Sequence, residues 1–156
     1  MKNILVATDF SNNAYCALFY AAKLLATEPC TFHLLNVFNE NTPLHGRKPK
    51  LFGGKKHFEE LRTASKEKLT STSHRIVMDN ENPKHKFKKI SKKGVVSKVI
   101  AKLIDENQID LVVMGNKGLT EAADIFFGSN TIKTVEQIKK CSILAIPGQI
   151  DFTPPK

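Results

Sequence analysis

Short apolar runs alternate with amphipathic helical patterns along the whole chain, and this alternation constrains the fold more than any other feature of the sequence. Runs typical of buried strands occur at 4–7, 30–38, 74–78, 111–114 and 142–146. Helical periodicity lies between them, at about 12–26, 57–71, 95–104 and 130–140, and the last of these helices is predicted to turn Ile132, Val135 and Ile138 inward. Because strands that alternate with helices are joined by crossovers, the sequence predicts an α/β fold with one parallel sheet of five strands.

The length and composition predict one domain. The chain has 156 residues, of which 41% are hydrophobic, so it can bury a substantial core. We predict a domain at 1–150 with loop-rich, basic segments at 39–56 and 79–93, and a tail at 151–156. No apolar run approaches the roughly 20 residues that cross a bilayer, and Asp9 comes too early for a secretory signal, which indicates a cytoplasmic protein. Cys16, Cys30 and Cys141 are predicted to be buried free thiols.

Positive charge is concentrated in the middle of the chain. The formal net charge is +9, and most of the excess lies between His45 and Lys93. Such a segment could attract nucleic acid, but the aromatic residues among the lysines are isolated and match no RNA-binding signature. A solvated surface is therefore the favoured interpretation, and nucleic-acid binding stays open as the weaker alternative. The histidines lack ligand spacing, so no metal site built from protein side chains is expected.

A glycine-containing stretch follows the fourth apolar run and carries the main functional signal. Residues 115–130 are GNKGLTEAADIFFGSN. Gly115, Gly118 and Gly128 would let the backbone turn and expose N–H groups, while Ser129 is a good N-cap for a helix that brings further N–H donors. A polyanion is the natural ligand of such a segment, although glycines after a strand can also be plain turns. No G-x-G-x-x-G follows a strand, so a dinucleotide site is not expected.

Several segments together resemble the universal stress protein family. They are ILVATDFS at 4–11, LLNV at 34–37, DLVVMG at 110–115, the motif G-x2-G-x9-G-[S/T]-N at 115–130, and CSILAIP at 141–147. The motif is the one that marks the family's ATP-binding branch. The resemblance implies strand order 3-2-1-4-5 with helices on both faces, a Rossmann-like architecture of the adenine nucleotide alpha hydrolase type. The chain departs from the family's pattern at Asn36 and at Asn116-Lys117.

The resemblance also implies an ATP site, in which Asp9 would contact the ribose or help place the Mg that accompanies the nucleotide. Backbone groups around Ala7 and Val37 would border the adenine, and the glycines would wrap the phosphates. In the implied order the first and fourth strands are neighbours with crossovers to opposite faces, so their carboxyl ends form a topological switch point where ligands bind. Asp9 could instead initiate the turn before the first helix, and Lys117 could be solvent-exposed. The implied nucleotide site comprises Ala7, Thr8, Asp9, Val37, Met114, Gly115, Gly118, Gly128, Ser129 and Asn130.

No catalytic constellation accompanies this site. The only carboxylates close to the glycines, Glu121 and Asp124, are more readily explained as surface residues. The resemblance therefore implies an ATP-binding regulator of the stress response rather than a fast enzyme, while slow ATP hydrolysis stays open. A nucleotide-free interaction protein of the same fold is the alternative. The uncharged run at 142–146 would lie at an edge of the sheet, and we predict a homodimer formed by its antiparallel pairing.

Overall fold

Strands and helices alternate throughout the residues that the computed structural model describes, which are 1–40, 42, 54–116 and 129–147. The elements are β1 (Lys2–Ala7), α1 (Asn12–Leu24), β2 (Cys30–Phe38), α2 (Gly54–Asp79), β3 (His85–Lys93), α3 (Val96–Asn107), β4 (Leu111–Gly115), α4 (Ser129–Gln137) and β5 (Ser142–Ile146).

The five strands form one parallel sheet in the order β3-β2-β1-β4-β5. The predicted fold class and strand order are therefore confirmed. Ile4, Leu5 and Val6 of β1 are buried, and so are eight of the nine residues of β2, which is the pattern of a parallel sheet covered on both faces. The predicted bounds of β2 and β5 agree with the structure at both ends.

Two apolar layers enclose the sheet. On one face α1 and α2 pack on residues such as Ile4, Phe32 and Val113. On the other face α3 packs on Leu5, Leu35 and Val112, together with Ile138, which directly follows α4. The crossovers that follow β1 and β2 therefore lie on one face, and those that follow β3 and β4 lie on the other. The chain reverses its winding between β1 and β4.

The first helix begins where the sequence predicts. Ser11 has an extended backbone, and its Oγ accepts a hydrogen bond from Ala14 N at 3.1 Å. The small residues of its inner face, Ala14, Ala17, Ala21 and Ala22, are all at least nine-tenths buried. Their size lets the helix approach the sheet closely.

The third strand lies elsewhere than predicted. Residues 74–78 are not a strand but the last part of α2, and β3 occupies 85–93 within the segment predicted to be a loop. Three β-branched or apolar residues in the run HRIVM suggest a strand, yet only Ile76 is buried and Met78 is 84% exposed. β3 is an edge strand, and its lysines are exposed to solvent. Lysines at these positions do not form the apolar pattern from which a strand is predicted.

The inner face of α4 also differs from the prediction. Ile132 and Val135 are 44% and 49% exposed, whereas the neighbouring Thr131 and Thr134 are buried. Thr131 Oγ1 donates to Gly115 O at 2.9 Å, and Thr134 Oγ1 donates to Asn130 O at 2.7 Å. Their hydroxyls are thus satisfied against backbone carbonyls, which lets small polar residues occupy the inner face. Ile138 is buried as predicted.

The three cysteines are free thiols, as predicted, but only Cys30 is buried. Burial raises the pKa of the Cys30 and Cys141 thiols, so both are held in the unreactive protonated form. No helix in the described ranges is long and apolar enough to cross a membrane.

Candidate functional site at the carboxyl ends of β1 and β4

The carboxyl ends of β1 and β4 are direct neighbours in the sheet. Val6 pairs with Val113 in a parallel register, and the crossovers after the two strands leave on opposite faces. This is the topological switch point at which open α/β sheets bind ligands. The structure brings together the ends of three strands here, with Ala7 at the end of β1, Thr8 and Asp9 directly after it, Val37 near the end of β2, and Met114 and Gly115 at the end of β4.

The remaining predicted site residues divide into two groups. Ser129 and Asn130 form the first turn of α4, and both are exposed. Gly118 and Gly128 lie outside the described residues, as do Lys117, Glu121 and Asp124. The role of Gly118 and Gly128 in binding phosphate therefore remains a prediction.

The loop after β1 is fixed by its own hydrogen bonds. Thr8 N donates to Leu35 O at 2.8 Å, and Thr8 Oγ1 accepts from Phe10 N at 3.0 Å. Asp9 Oδ1 accepts from Ser11 N at 3.0 Å, which is the turn role that the sequence left open for this carboxylate. Asp9 therefore serves the turn before α1 whether or not it also contacts a ligand.

Phe10 has an unusual backbone conformation at this loop. Its φ is 67°, in the left-handed region that side-chain-bearing residues rarely adopt. For a bulky residue this conformation costs on the order of 1–2 kcal/mol. Local strain of this kind is common where a chain is held in a particular shape for binding.

A hydrogen-bond network around the buried amide of Asn36 supports the loop that follows β1. Asn36 Nδ2 donates to Thr8 O at 2.8 Å, and Asn36 Oδ1 accepts from Ser65 Oγ at 2.8 Å. Ser65 Oγ also lies 2.7 Å from Ser91 Oγ, and because its proton is used on Asn36, Ser91 is the donor in that pair. The network joins the β1 loop to β2, α2 and β3.

A second amide pair links α1 to the end of β4. Asn13 Nδ2 donates to Asn116 Oδ1 at 2.9 Å, and the two side chains are 9% and 4% exposed. A Cβ placed on Gly115 would overlap Asn13 Oδ1 and would lie 3.1 Å from Asn13 Cγ and 3.3 Å from its backbone C. Gly115 is therefore required for the close approach of α1, independently of any ligand.

The electrostatics of this edge favour an anion. α1 and α4 both begin next to it, and neither has an acidic residue in its first turn. The Asp9 carboxylate already lies beside the N-cap of α1, whereas the first turn of α4 has no acidic residue, so the positive dipole end of α4 would stabilise an anion there. Among the described residues no group of three or more His, Cys, Asp and Glu could hold a metal ion.

Three asparagines at this edge were not predicted as site residues. Asn13, Asn36 and Asn116 are all buried, and each donates or accepts an amide hydrogen bond that positions a loop of the site. The available signal was a polar amide within an apolar run, as in LLNVF at 34–38. A buried amide must be paired, so its place in a strand indicates a structural partner nearby.

Comparison with known proteins agrees with this architecture. The sequence profile of the universal stress protein family matches residues 1–147. The chain belongs to the universal stress protein family. Within the family, universal stress protein MJ0577 from Methanocaldococcus jannaschii is 28% identical over 150 residues, which is 89% of this chain and 91% of that protein. The structure of MJ0577 matches with a TM-score of 0.74 at 23% identity, covering 96% of this chain and 98% of that one.

Two further structures share the fold and contain adenine compounds. A universal stress protein in complex with cAMP matches with a TM-score of 0.65 at 18% identity, covering 95% of this chain and 98% of that one. A family member from Arabidopsis thaliana with AMP bound matches with a TM-score of 0.60 at 16% identity, covering 97% and 94%. At these identities the likeness establishes the common fold.

Proposed function

We propose that this universal stress protein binds an adenine nucleotide, ATP with Mg, at the switch point between β1 and β4, and acts as a cytoplasmic regulator of the stress response. The observation that carries the proposal is the meeting of the β1 and β4 carboxyl ends with the first turns of α1 and α4. The G-x2-G-x9-G-S-N spacing at 115–130 adds the phosphate-binding loop expected for the family's ATP-binding branch.

The residues at this edge suit a nucleotide. Ala7, Val37 and Met114 are small or turned into the core, so their backbone groups are what a planar adenine would meet. Ser129 and Asn130 are exposed at the N-terminus of α4, where N–H groups and the helix dipole favour phosphate. Gly118 and Gly128 would let the intervening backbone approach the phosphates.

The relatives support the ligand class. A structure of a universal stress protein holds cAMP and one from Arabidopsis thaliana holds AMP, and both share this fold. An adenine with at least one phosphate is common to both ligands. The preference for ATP rests on the glycine motif, whose backbone N–H groups would supply donors for more than one phosphate.

Ligand-dependent stability tests the proposal. Mg-ATP at about 100 times its Kd should raise the free energy of unfolding by roughly 2.7 kcal/mol, and GTP should give less. Mass spectrometry of the freshly purified protein should detect a co-purified adenine compound. Unchanged thermal stability with ATP, ADP, AMP and cAMP would favour the alternative of a nucleotide-free interaction protein.

Substitution of the two glycines outside the described ranges locates the phosphate loop. Gly118→Val and Gly128→Val should abolish ATP binding, because a β-branched side chain keeps the backbone away from phosphate. The melting temperature without nucleotide is the control, because a substitution that affects only ligand binding leaves this temperature unchanged. Wild-type affinity in both variants would contradict the site.

Asp9 has two candidate roles that a matched pair of variants separates. Asp9→Asn keeps an acceptor for Ser11 N but removes the charge, whereas Asp9→Ala removes both. A carboxylate that contacts ribose or Mg predicts weaker Mg-ATP binding in both variants. If the Asp9 carboxylate serves only the turn, Asp9→Asn should bind Mg-ATP normally and only Asp9→Ala should lose stability.

We also propose that the protein forms a homodimer through the free edge of β5. Ile146 O accepts from Asn116 N at 3.0 Å, so Ile146 and, by alternation, Leu144 direct their backbone groups towards β4. Ile143 and Ala145 consequently direct theirs outward. The strand carries no charge and no proline that would block pairing.

The dimer proposal has a specific perturbation. Ala145→Pro removes an outward N–H without removing a donor from the β4–β5 ladder, whereas Ala145→Ser keeps the N–H. Light scattering at micromolar concentration should give a dimer for the wild type and Ala145→Ser and a monomer for Ala145→Pro. A monomeric wild type would contradict the proposal.

A further inference from the structure

The opposite edge of the sheet has a different character from β5. β3 is the last strand on its side, and its nine residues include five lysines and no acidic residue. No described strand pairs with its outer side. An exposed edge of this length presents a row of backbone donors and acceptors that another strand could use.

The ladder between β2 and β3 shows which backbone groups point outward. Cys30 N donates to Lys84 O at 3.1 Å, and Gly94 N donates to Phe38 O at 3.0 Å. In a parallel ladder the N–H and C=O of one residue point to the same side, and the side alternates along the strand. The even-numbered residues of β3 therefore bond to β2. The residues that direct N–H and C=O outward are Phe87, Lys89, Ser91 and Lys93.

The lysine side chains divide between the two faces. Lys86, Lys88 and Lys92 lie on the face of Ile90, which packs against the α3 layer. All three are exposed, and in the described part of the chain none lies within ion-pair distance of a carboxylate. Burial, and then the charge of Lys88, hold the pKa of the neighbouring His33 below its usual value.

The lysines of the other face are already engaged. Lys89 Nζ donates to Thr70 Oγ1 at 3.2 Å, and Lys93 Nζ lies 3.5 Å from the centroid of the Phe58 ring. Lys89 and Lys93 therefore contact neutral partners on α2, and among the described residues the positive charge on the other face has no such contact. It follows the order charge, charge, apolar, charge at alternate positions of the strand.

We propose that the β3 edge binds an extended, acidic segment of a partner protein as an additional strand. Main-chain hydrogen bonds to the outward groups would supply affinity, and the alternate side chains would supply specificity, as in other cases of strand addition. The partner segment would place acidic residues beside Lys86, Lys88 and Lys92 and an apolar residue beside Ile90. Opposite charges on adjacent strands stabilise the pairing, and like charges oppose it.

Two other occupants fit less well. A second copy of β3 would place lysines beside lysines, so the edge repels itself. A nucleic acid would neutralise the lysines, but its phosphates only accept hydrogen bonds and would face the outward C=O groups of alternate residues. An added peptide strand satisfies both the N–H and the C=O groups.

The experiment uses a fluorescent nine-residue peptide in which glutamate alternates with threonine, with valine at the central alternate position. We expect fluorescence anisotropy to show binding to the wild type that weakens with salt, and a peptide of equal composition with consecutive glutamates to bind less tightly. The triple variant Lys86→Glu, Lys88→Glu and Lys92→Glu should weaken binding by roughly tenfold or more. A triple variant with the same charge change at exposed lysines elsewhere, Lys66→Glu, Lys98→Glu and Lys139→Glu, should retain most of it.

A second pair of variants separates strand addition from simple charge attraction. Lys89→Pro removes an outward N–H and leaves the β2 ladder intact, while Lys89→Ala removes the same charge but keeps the N–H. Only Lys89→Pro should lose peptide binding. If Lys89→Pro fails to fold, N-methylation of alternate residues of the peptide tests the same hydrogen bonds on the wild-type protein.

Three results would overturn the proposal. The first is absence of peptide binding at low salt. The second is equal binding by Lys89→Pro and Lys89→Ala, or by the methylated and unmethylated peptides. The third is tighter binding of a nine-nucleotide thymidine strand that depends on Lys86, Lys88 and Lys92, which would make the edge a nucleic-acid surface instead.

Discussion

Gly115→Ala is the substitution whose effect the structure defines most closely. The added Cβ would overlap Asn13 Oδ1, so the Asn13 side chain must move and its hydrogen bond to Asn116 is lost. Loss of a buried hydrogen bond costs about 0.5–1.5 kcal/mol, and leaving Asn116 Oδ1 buried without its partner adds about 1–3 kcal/mol. We expect the free energy of unfolding to fall by about 2–4 kcal/mol.

A double-mutant cycle tests this reasoning. Asn13→Ala removes the amide that blocks the Cβ and already breaks the bond to Asn116. In that background Gly115→Ala should cost little, because of the three atoms nearest to the added Cβ only the Asn13 backbone C, at 3.3 Å, remains. Urea unfolding followed by circular dichroism should give a coupling energy of about 2 kcal/mol between the two positions. Additive effects, or a Gly115→Ala variant as stable as the wild type, would refute the steric explanation.

The same cycle separates the two reasons for a glycine at this position. The doubly substituted protein should fold, and its affinity for Mg-ATP then reports on the ligand alone. Weak binding in that variant would mean that the phosphates also need the bare backbone at Gly115. Normal binding would assign Gly115 to packing and leave the phosphate contacts to Gly118 and Gly128.

Three further predictions concern the loop, the network and the buried histidine. Phe10→Gly should be more stable than Phe10→Ala by about 1 kcal/mol, because φ is 67° at this residue, and it should therefore melt at a higher temperature. Asn36→Ala should lower the free energy of unfolding by about 1–3 kcal/mol in a urea titration, and adding Ser65→Ala should lower it little further, since both remove one network. The pKa of His33 is held below 6.5, so the unfolded chain gains a proton that the folded chain does not. Stability should therefore fall as pH drops below about 6.5, and His33→Gln should flatten that dependence in urea midpoints measured across this range.

The sequence was sufficient for the central strands because their signal is simple. The middles of β1, β2 and β4 are buried on both faces, and continuous apolar runs such as ILVA at 4–7 and LVVM at 111–114 predict such strands directly. The strand order came from the family resemblance, since periodicity alone does not decide which strands are neighbours. Of the candidate site, the positions after β1 and β4 follow from the strand ends.

The parts that the sequence did not predict depend on tertiary context. β3 was missed because Lys86, Lys88 and Lys92 occupy the alternate positions that an apolar pattern would fill in a buried strand. The run HRIVM was assigned to a strand because local propensity does not show that α2 continues through it. The amide clamp between Asn13 and Asn116 joins residues 103 apart in the chain, and no local pattern indicates such a contact.

The two edges of the sheet differ in a way that directs association. β5 offers an uncharged, proline-free edge, whereas β3 offers an edge with three exposed lysines on one face. Two copies can approach through β5 without charge repulsion, but pairing through β3 would set like charges beside each other. In the proposed dimer the two sheets would join at β5 and leave a lysine-bearing β3 edge at each far end. The charge on β3 would then limit the assembly to two copies, since further growth of the sheet could occur only through a strand that is acidic where β3 is basic.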